Sequence, residues 1–327
     1  MIYVDTGSRD PYFNFGAEYY FAAERDLGDP VFLLWSTEPT LMIGKYQDIY
    51  GEIDLPYARD HGINVVRRLS GGGTIYTDPG GFQYSFILRG GGESIDFDGF
   101  IEPVVAALRR LGIPAGRSGR NDILLGGRKI SGNAQYKLRG ATVHHGSLLF
   151  STDIEEMTRA STPPDYKISS KSIRSVRDRV TNISEYPGVT LTAEEFPRAL
   201  IGAMEEETGT MRTYRLTKDD RERIAALGDV HFRARDAIFS RAPKFDIEKT
   251  CRTPGGTVTV SFSVKDGAVA AAEATGDFFA ADGSDAFSFL VGTPFEKEAL
   301  REKIKNAPLS LWGVDAGELA DAMTEGL

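Results

Sequence analysis

Apolar positions along the chain change period several times, and the changes outline the elements. Phe15, Tyr19 and Ala22 recur at helical spacing, and Asn14 stands where an N-cap is expected, so a helix should run to about residue 25. Runs at 31–35, 41–43, 64–68 and 74–78 read as strands, and 82–88 alternates as a half-buried strand should. The helical period returns over about 97–111 and stops at Gly112, ahead of Pro114. A tight hairpin is expected at 122–131 and a strand near 142–150. Two later helices carry capping-box spacing, Thr192 with Glu195 and Thr217 with Asp220. Near residue 245 the pattern shifts to alternating runs at 257–264 and 268–274 around a Lys265-Asp266-Gly267 turn, followed by helical stretches near 295–305 and 315–325. The expectation is an α+β fold. Residues 1–244 form a large, mostly antiparallel or mixed sheet with packed helices, and residues 245–327 form a small α+β accessory domain.

Composition narrows the class. The chain has 327 residues, enough for two domains, and its 41% hydrophobic and 26% charged content is ordinary for a globular protein. No apolar run approaches the roughly 20 residues of a membrane span. The N-terminus lacks a signal-type core, and a lone cysteine, Cys251, permits no intrachain disulfide, so the expected compartment is the cytoplasm. A net charge of −9 argues against a general nucleic-acid binder. The four histidines, His61, His144, His145 and His231, and the one cysteine have no zinc-site spacing.

Two glycine-rich stretches carry the chemistry. Residues 65–85, VVRRLSGGGTIYTDPGGFQYS, deliver Arg67 and Arg68 into three consecutive glycines. Such a run weakens regular structure and suits a backbone that approaches an anion closely, a phosphate being the commonest; a glycine-rich turn beside surface arginines is the alternative. Residues 118–150, SGRNDILLGGRKISGNAQYKLRGATVHHGSLLF, place Lys129 between glycine pairs and after the Asn121-Asp122 step. A lysine there can act as a point cation between a carboxylate and a phosphate, or be a solvated surface charge.

Together these stretches resemble the lipoate–protein ligases of the biotin/lipoate ligase superfamily. The matching blocks are RRLSGGGTIYTDPGG, GRND, KISG and HHGSLL in order, then KSIRSVRDRVTNISEY at 171–186 and GDFF with LVGTPFEKEAL towards the C-terminus. Two positions depart: Thr77 stands where the family has histidine, and Gly81 where it has asparagine. The resemblance implies that lipoate attacks the α-phosphate of ATP to give lipoyl-AMP, which then acylates a lysine on a lipoyl domain of an E2 subunit or an H protein. It also implies nucleotide contacts from Arg68, Gly72, Gly73, Thr74, Ile75, Tyr76, Asn121 and Lys129. Lipoate contacts would come from Lys129, Gln47 and His145, and an adenylate loop would carry Lys171. Lys129 and Asp122 are the implied catalytic pair, with Asp122 a partner for Lys129 or for Mg²⁺, or a turn residue before a strand. His144 and His145, adjacent on a strand, should point to opposite faces. By its own position Gln47 reads as a solvated loop residue, and Lys171 as part of a solvated basic loop as readily as of a closing one. The family leans towards a monomer.

Three rivals remain at this level. An ATP-independent octanoyl or lipoyl transferase of the same superfamily needs a thioester cysteine, and Cys251 lies outside every block. A non-catalytic lipoyl binder predicts binding without pyrophosphate release. A biotin ligase would carry a GRGR-like loop, which is absent, as is a G-x-x-x-x-G-K-[ST] phosphate loop.

Overall fold

The protein is described by a computed structural model covering residues 1–47, 49–90, 95–119, 121–161, 178–239, 247–265, 267–280, 287–307 and 311–325. Its main sheet has eight strands. In chain order they are β1 (Ile2–Val4), β2 (Val31–Trp35), β6 (Gly81–Arg89), β7 (Gly116–Ser118), β8 (Asp122–Leu125), β9 (Arg128–Leu138), β10 (Ala141–Leu149) and β11 (Arg212–Tyr214). Their spatial order is β11-β1-β2-β6-β10-β9-β8-β7. Strand β1 pairs in parallel with both β11 and β2, and the remaining pairings are antiparallel, so the sheet is mixed. The short strands β1 and β11 are not visible in the apolar pattern because three residues are too few to show a period.

A smaller sheet joins β3 (Thr40–Ile43), β4 (Asn64–Arg67) and β5 (Ile75–Thr77), with β3 in the centre, and it carries the glycine run between β4 and β5. The C-terminal sheet is the antiparallel meander β12 (Ile247–Thr253), β13 (Gly256–Lys265) and β14 (Ala268–Gly276), covered by helices Lys297–Lys305 and Ala316–Met323. Val258, Val260, Phe262 and Leu300 are each fully buried in its own core.

Alternation along the central strands sorts the main core into two layers. Leu33, Trp35, Ile87 and Val143 face the helices Pro11–Ala23 and Lys218–Gly228. Phe32, Leu34, Phe82, Tyr84, Phe86 and Leu148 face Asp98–Arg110 and Phe196–Thr208.

The first helix begins earlier than its apolar period suggests. Asp10, not Asn14, caps it: the Asp10 carboxylate accepts from Tyr12 N at 3.0 Å, and Pro11 takes the first helical position. Asn14 is instead buried within the helix, its Nδ2 donating to Ser8 O and Ser36 O. Thr192 and Glu195 make their reciprocal bonds one turn ahead of the helix Phe196–Thr208. Thr217 and Asp220 form a true capping box, and Asp220 also accepts from Tyr20 OH and Tyr214 OH, each at 2.7 Å. Those donors hold its carboxyl near 2, below the ordinary 3.8, against burial acting the other way. Because the folded value is depressed, this stabilisation is complete above the unfolded value and is lost as pH falls through the folded one. Asp220→Asn should therefore lower stability by about 2 kcal/mol at neutral pH, the worth of a charged hydrogen-bond hub. In acid unfolding curves the difference from wild type should shrink below pH 4; a difference that persists unchanged to pH 2 would count against the hub.

Candidate functional site

One face of the main sheet ends in a cavity. In cross-strand register Trp35 on β2 opposes Gln83 on β6, Gln83 opposes Ser147 on β10, and His145 opposes Ala134 on β9. All five side chains line a cavity of about 340 Å³. Phe15 and Met42 add apolar lining, and Asn121, Asp122, Lys129, Asn133 and Asp277 add polar lining. A ligand with both an apolar part and an anionic group matches that lining.

Lys129 reaches this wall because the β8–β9 pairing slips. Asp122 opposes Gly132 and Ile123 opposes Ser131, but Leu124 opposes Lys129, so β9 carries one extra residue at Ile130. A bulge of this kind turns the following side chains over. Lys129 Nζ thereby comes to 2.8 Å from Asp122 Oδ1, both half-exposed to the cavity. Gly132 leaves the space for it, since a Cβ there would stand 3.1 Å from Lys129 Nζ. The backbone of Lys129 is held as well: its carbonyl accepts from Thr181 N at 3.0 Å. Asn121 lines the cavity and donates from Nδ2 to Asn133 O at 2.5 Å.

The glycine run is shaped by close backbone approach. A Cβ on Gly71 would lie 1.9 Å from Phe278 O, and one on Gly72, whose φ is +92°, would meet the Phe279 ring at 2.9 Å. Gly73 alone of the three opens onto free space. Gly72 N donates to Phe278 O at 3.0 Å, so the phosphate nest read from the sequence is partly occupied by a carbonyl from the segment that follows β14. Gly71, Gly72, Gly73, Thr74 and Ile75 all line the cavity. Tyr76 does not: the next residue along β5, it is buried in the core at 4% exposure.

Both arginines hold the loops together. Arg67 Nη1 donates to the carbonyls of Gly44, Lys45 and Gln47, and its Nε to Ile238 O. Arg68 is buried, and its guanidinium donates to the carbonyls of Met42, Gly71 and Gly73 while also lining the cavity. Burial pushes its pKa down to about 10, with the charge of Glu18 opposing the shift. Gln47 is neither solvated nor on the cavity wall. Its Oε1 accepts from Gly44 N at 2.8 Å and Thr74 Oγ1 at 3.0 Å, fixing the loop from behind.

The paired histidines separate as strand alternation requires. His145 lines the cavity; His144 is fully buried on the other face, stacked on Phe100 at 4.8 Å, where burial holds it neutral with a pKa far below normal. Sequence reading missed the partner that orients His145. Glu18, fully buried in the first helix, lies 3.1 Å from His145 Nδ1, and His145 Nε2 lies 2.7 Å from Ser70 Oγ. The signal was available, because an acidic residue at an apolar helical position is rarely buried without a partner.

Thr77 and Gly81 explain each other. Thr77 Oγ1 accepts from Gln83 Nε2 at 2.9 Å, and a Cβ on Gly81 would stand 2.8 Å from that same oxygen and 2.9 Å from Thr152 Oγ1. Lys171 and most of the basic stretch around it lie outside the described residues. Among the described residues no cluster of three or more His, Cys, Asp or Glu side chains could hold a metal ion, and no helix is long and apolar enough to cross a membrane.

Comparison with known proteins covers nearly the whole chain. Residues 10–205 match the lipoyl protein ligase A/B catalytic domain, and residues 242–322 match the bacterial lipoate protein ligase C-terminus. Lipoate-protein ligase LplJ of Bacillus subtilis is 37% identical over 314 residues, covering 94% of this chain and 95% of that protein. Lipoate–protein ligase 1 of Staphylococcus aureus is 36% identical, with 92% of each chain covered. Among solved structures, P. falciparum LipL1 in complex with lipoate shares the fold at a TM-score of 0.74 and 20% identity, covering 94% of this chain and 95% of that one. A lipoate-protein ligase A bound with ATP gives 0.62 at 25% identity, covering 73% of this chain and 97% of that one.

Proposed function

The chain belongs to the lipoate–protein ligase family, and from that membership we propose how its cavity joins lipoate to ATP and then to a protein lysine. The observation that carries the reading is the Lys129–Asp122 pair, 2.8 Å apart on the wall of a cavity that also has apolar lining. The fatty chain of lipoate would lie along Phe15, Trp35, Met42 and Ala134, leaving its carboxylate beside Lys129. The nucleotide would meet Arg68 and residues 72–75, with Asn121 on the same cavity wall. Two unit charges about 4 Å apart repel by roughly 4 kcal/mol in a partly buried setting, and the ammonium of Lys129 between carboxylate and α-phosphate offsets that.

In the first step a lipoate oxygen bonds to the α-phosphorus and the bond to pyrophosphate breaks. In the second, a lysine amine bonds to the acyl carbon, the carbon–oxygen bond to AMP breaks, and the amine gives up a proton. Asp122 would hold Mg²⁺ together with phosphate oxygens, as that ion commonly takes only one or two carboxylates; the ion would neutralise phosphate charge. Lipoyl domains of E2 subunits and the H protein are the proposed acceptors, with the enzyme acting as a cytoplasmic monomer. The catalytic domain is assigned to residues 1–244 and the accessory domain to 245–327.

The thioester route finds no support in the geometry. Cys251 is buried in the β12–β13 pairing of the C-terminal sheet, where burial raises its thiol pKa, and it is not on the cavity wall. Cys251→Ser should leave lipoyl transfer within about twofold of wild type, a change of under 0.5 kcal/mol. Loss of transfer with a folded protein would bring the transferase back. The primary test is pyrophosphate release by wild type with ATP, with and without lipoate. Release that requires lipoate supports the reading; lipoate binding with no release would replace the ligase by a binder.

A further inference from the structure

Two buried charged side chains, Arg68 on the cavity wall and Glu18 off it, are joined through other side chains. Arg68 is 5% exposed and Glu18 is fully buried. Between them run three contacts: Arg68 Nε to Ser70 Oγ at 3.4 Å, Ser70 Oγ to His145 Nε2 at 2.7 Å, and His145 Nδ1 to the Glu18 carboxylate at 3.1 Å. Glu18 also accepts from Ser85 Oγ and from Tyr136 OH. A guanidinium only donates and an ionised carboxylate only accepts, so with a neutral His145 ring the chain runs in one direction. Arg68 donates to the Ser70 hydroxyl, Ser70 donates to His145 Nε2, and His145 donates from Nδ1 to Glu18.

That direction reaches the glycine loop. Ser70 immediately precedes Gly71, its carbonyl accepts from Lys45 N at 2.8 Å, and the other arms of Arg68 hold the Gly71 and Gly73 carbonyls. The Gly72 N–H is bonded to Phe278 O, so turning those carbonyls inward towards Arg68 leaves the N–H groups of the loop beyond Gly72 for an anion. We propose that Glu18 is a positioning residue for the nucleotide step: through His145 and Ser70 it orients the buried donor chain that keeps the Gly71–Gly73 loop in its phosphate-binding shape. This deepens the ligase reading and rests on it. Glu18 touches no substrate in this scheme, because the cavity wall includes His145 but not Glu18 or Ser70.

Glu18→Gln keeps the shape but removes the fixed acceptor. The glutamine amide can donate to His145 Nδ1, the ring then carries its proton on Nε2, and the Ser70 hydroxyl loses its acceptor. Three measurements on the full-length protein test this. In ¹⁵N-labelled wild type near neutral pH, the histidine signal that disappears in His145→Gln should show the Nδ1–H tautomer, and Glu18→Gln should abolish it. In pyrophosphate-release kinetics Glu18→Gln should raise KM for ATP about tenfold to a hundredfold, as expected for a hydrogen-bond chain ending on charges, with a smaller rise in KM for lipoate. Ser70→Ala interrupts the same chain, so the double variant should be no worse than the poorer single one. An Nε2–H tautomer in wild type, additive effects, or a KM change confined to lipoate would each overturn the proposal. If Glu18→Gln fails to fold, the wild-type tautomer and the Ser70→Ala kinetics still decide it. Absence of pyrophosphate release from wild type would count against the ligase reading instead, and would leave the tautomer result standing.

Discussion

Lys129→Ala is expected to lower kcat/KM for lipoate-dependent pyrophosphate release by about a thousandfold, or roughly 4 kcal/mol of transition-state stabilisation. The fold should survive. The Lys129 side chain is 39% exposed and its ion pair with Asp122 is correspondingly solvated, and such pairs contribute only about 0–1 kcal/mol to stability. Thermal melts of the variant should therefore overlay those of wild type within a few degrees. Lys129→Arg should not restore the rate. The space beside Gly132 fits a slim ammonium, with Nζ and Cε already 3.1 and 3.2 Å from where a Cβ would stand, and a planar guanidinium is wider. A near-normal rate in the alanine variant would remove Lys129 from the adenylation step. A large loss of stability would mean that the pair supports the fold instead of the reaction.

Gly71→Ala should produce a large loss of stability from a single methyl group. Its Cβ would lie 1.9 Å from Phe278 O and 3.2 Å from Phe279 Cα, backbone on both sides. The glycine cannot retreat easily, since its carbonyl is held by Arg68 and the next N–H is bonded to that same Phe278 carbonyl. A cost of about 2–4 kcal/mol is expected, in the range of overpacked buried sites. It should appear as a melting temperature lower by several degrees. Gly73→Ala is the control, because nothing lies within 4 Å of its added Cβ; its stability should stay within about 0.5 kcal/mol of wild type. Equal destabilisation by both variants would show that close approach to Phe278 is not what requires glycine. ATP titrations of the two proteins separate loop shape from fold, since Gly73 lies on the cavity wall.

Much of the architecture was legible because it is written in local periods. The strands around 31–35, 82–88 and 142–150, the helix near 97–111 and the C-terminal hairpin all appear close to their expected limits. Strand alternation alone also assigns His144 and His145 to opposite faces, and they lie there. Shorter elements were lost, and so was the true cap of the first helix. Asn14 is a good capping type, but Asp10 with Pro11 completes the turn earlier, and the buried Asn14 ties the helix to Ser8 and Ser36 instead. Tyr76 and Gln47 belong to the same class of outcome. Each lies within or near a site block, yet strand parity turns Tyr76 into the core, and bonds to Gly44 and Thr74 hold Gln47 behind the loop.

The sequence by itself determined the family, the order of chemical blocks and the alternation of faces along each regular strand, because those depend on residue type and on spacing within one element. Only the tertiary structure decided which of these residues meet. The bulge at Ile130 sets the side on which Lys129 emerges, and it arises from pairing with β8, not from any preference within β9. Glu18 finds His145 across 127 positions because a helix packs on the sheet there, and Phe278 reaches Gly71 because the C-terminal strands end against the glycine loop. Register and packing between distant segments are cooperative quantities, minimised over the whole core at once. A local pattern can restrict them to a few choices but cannot select among those choices.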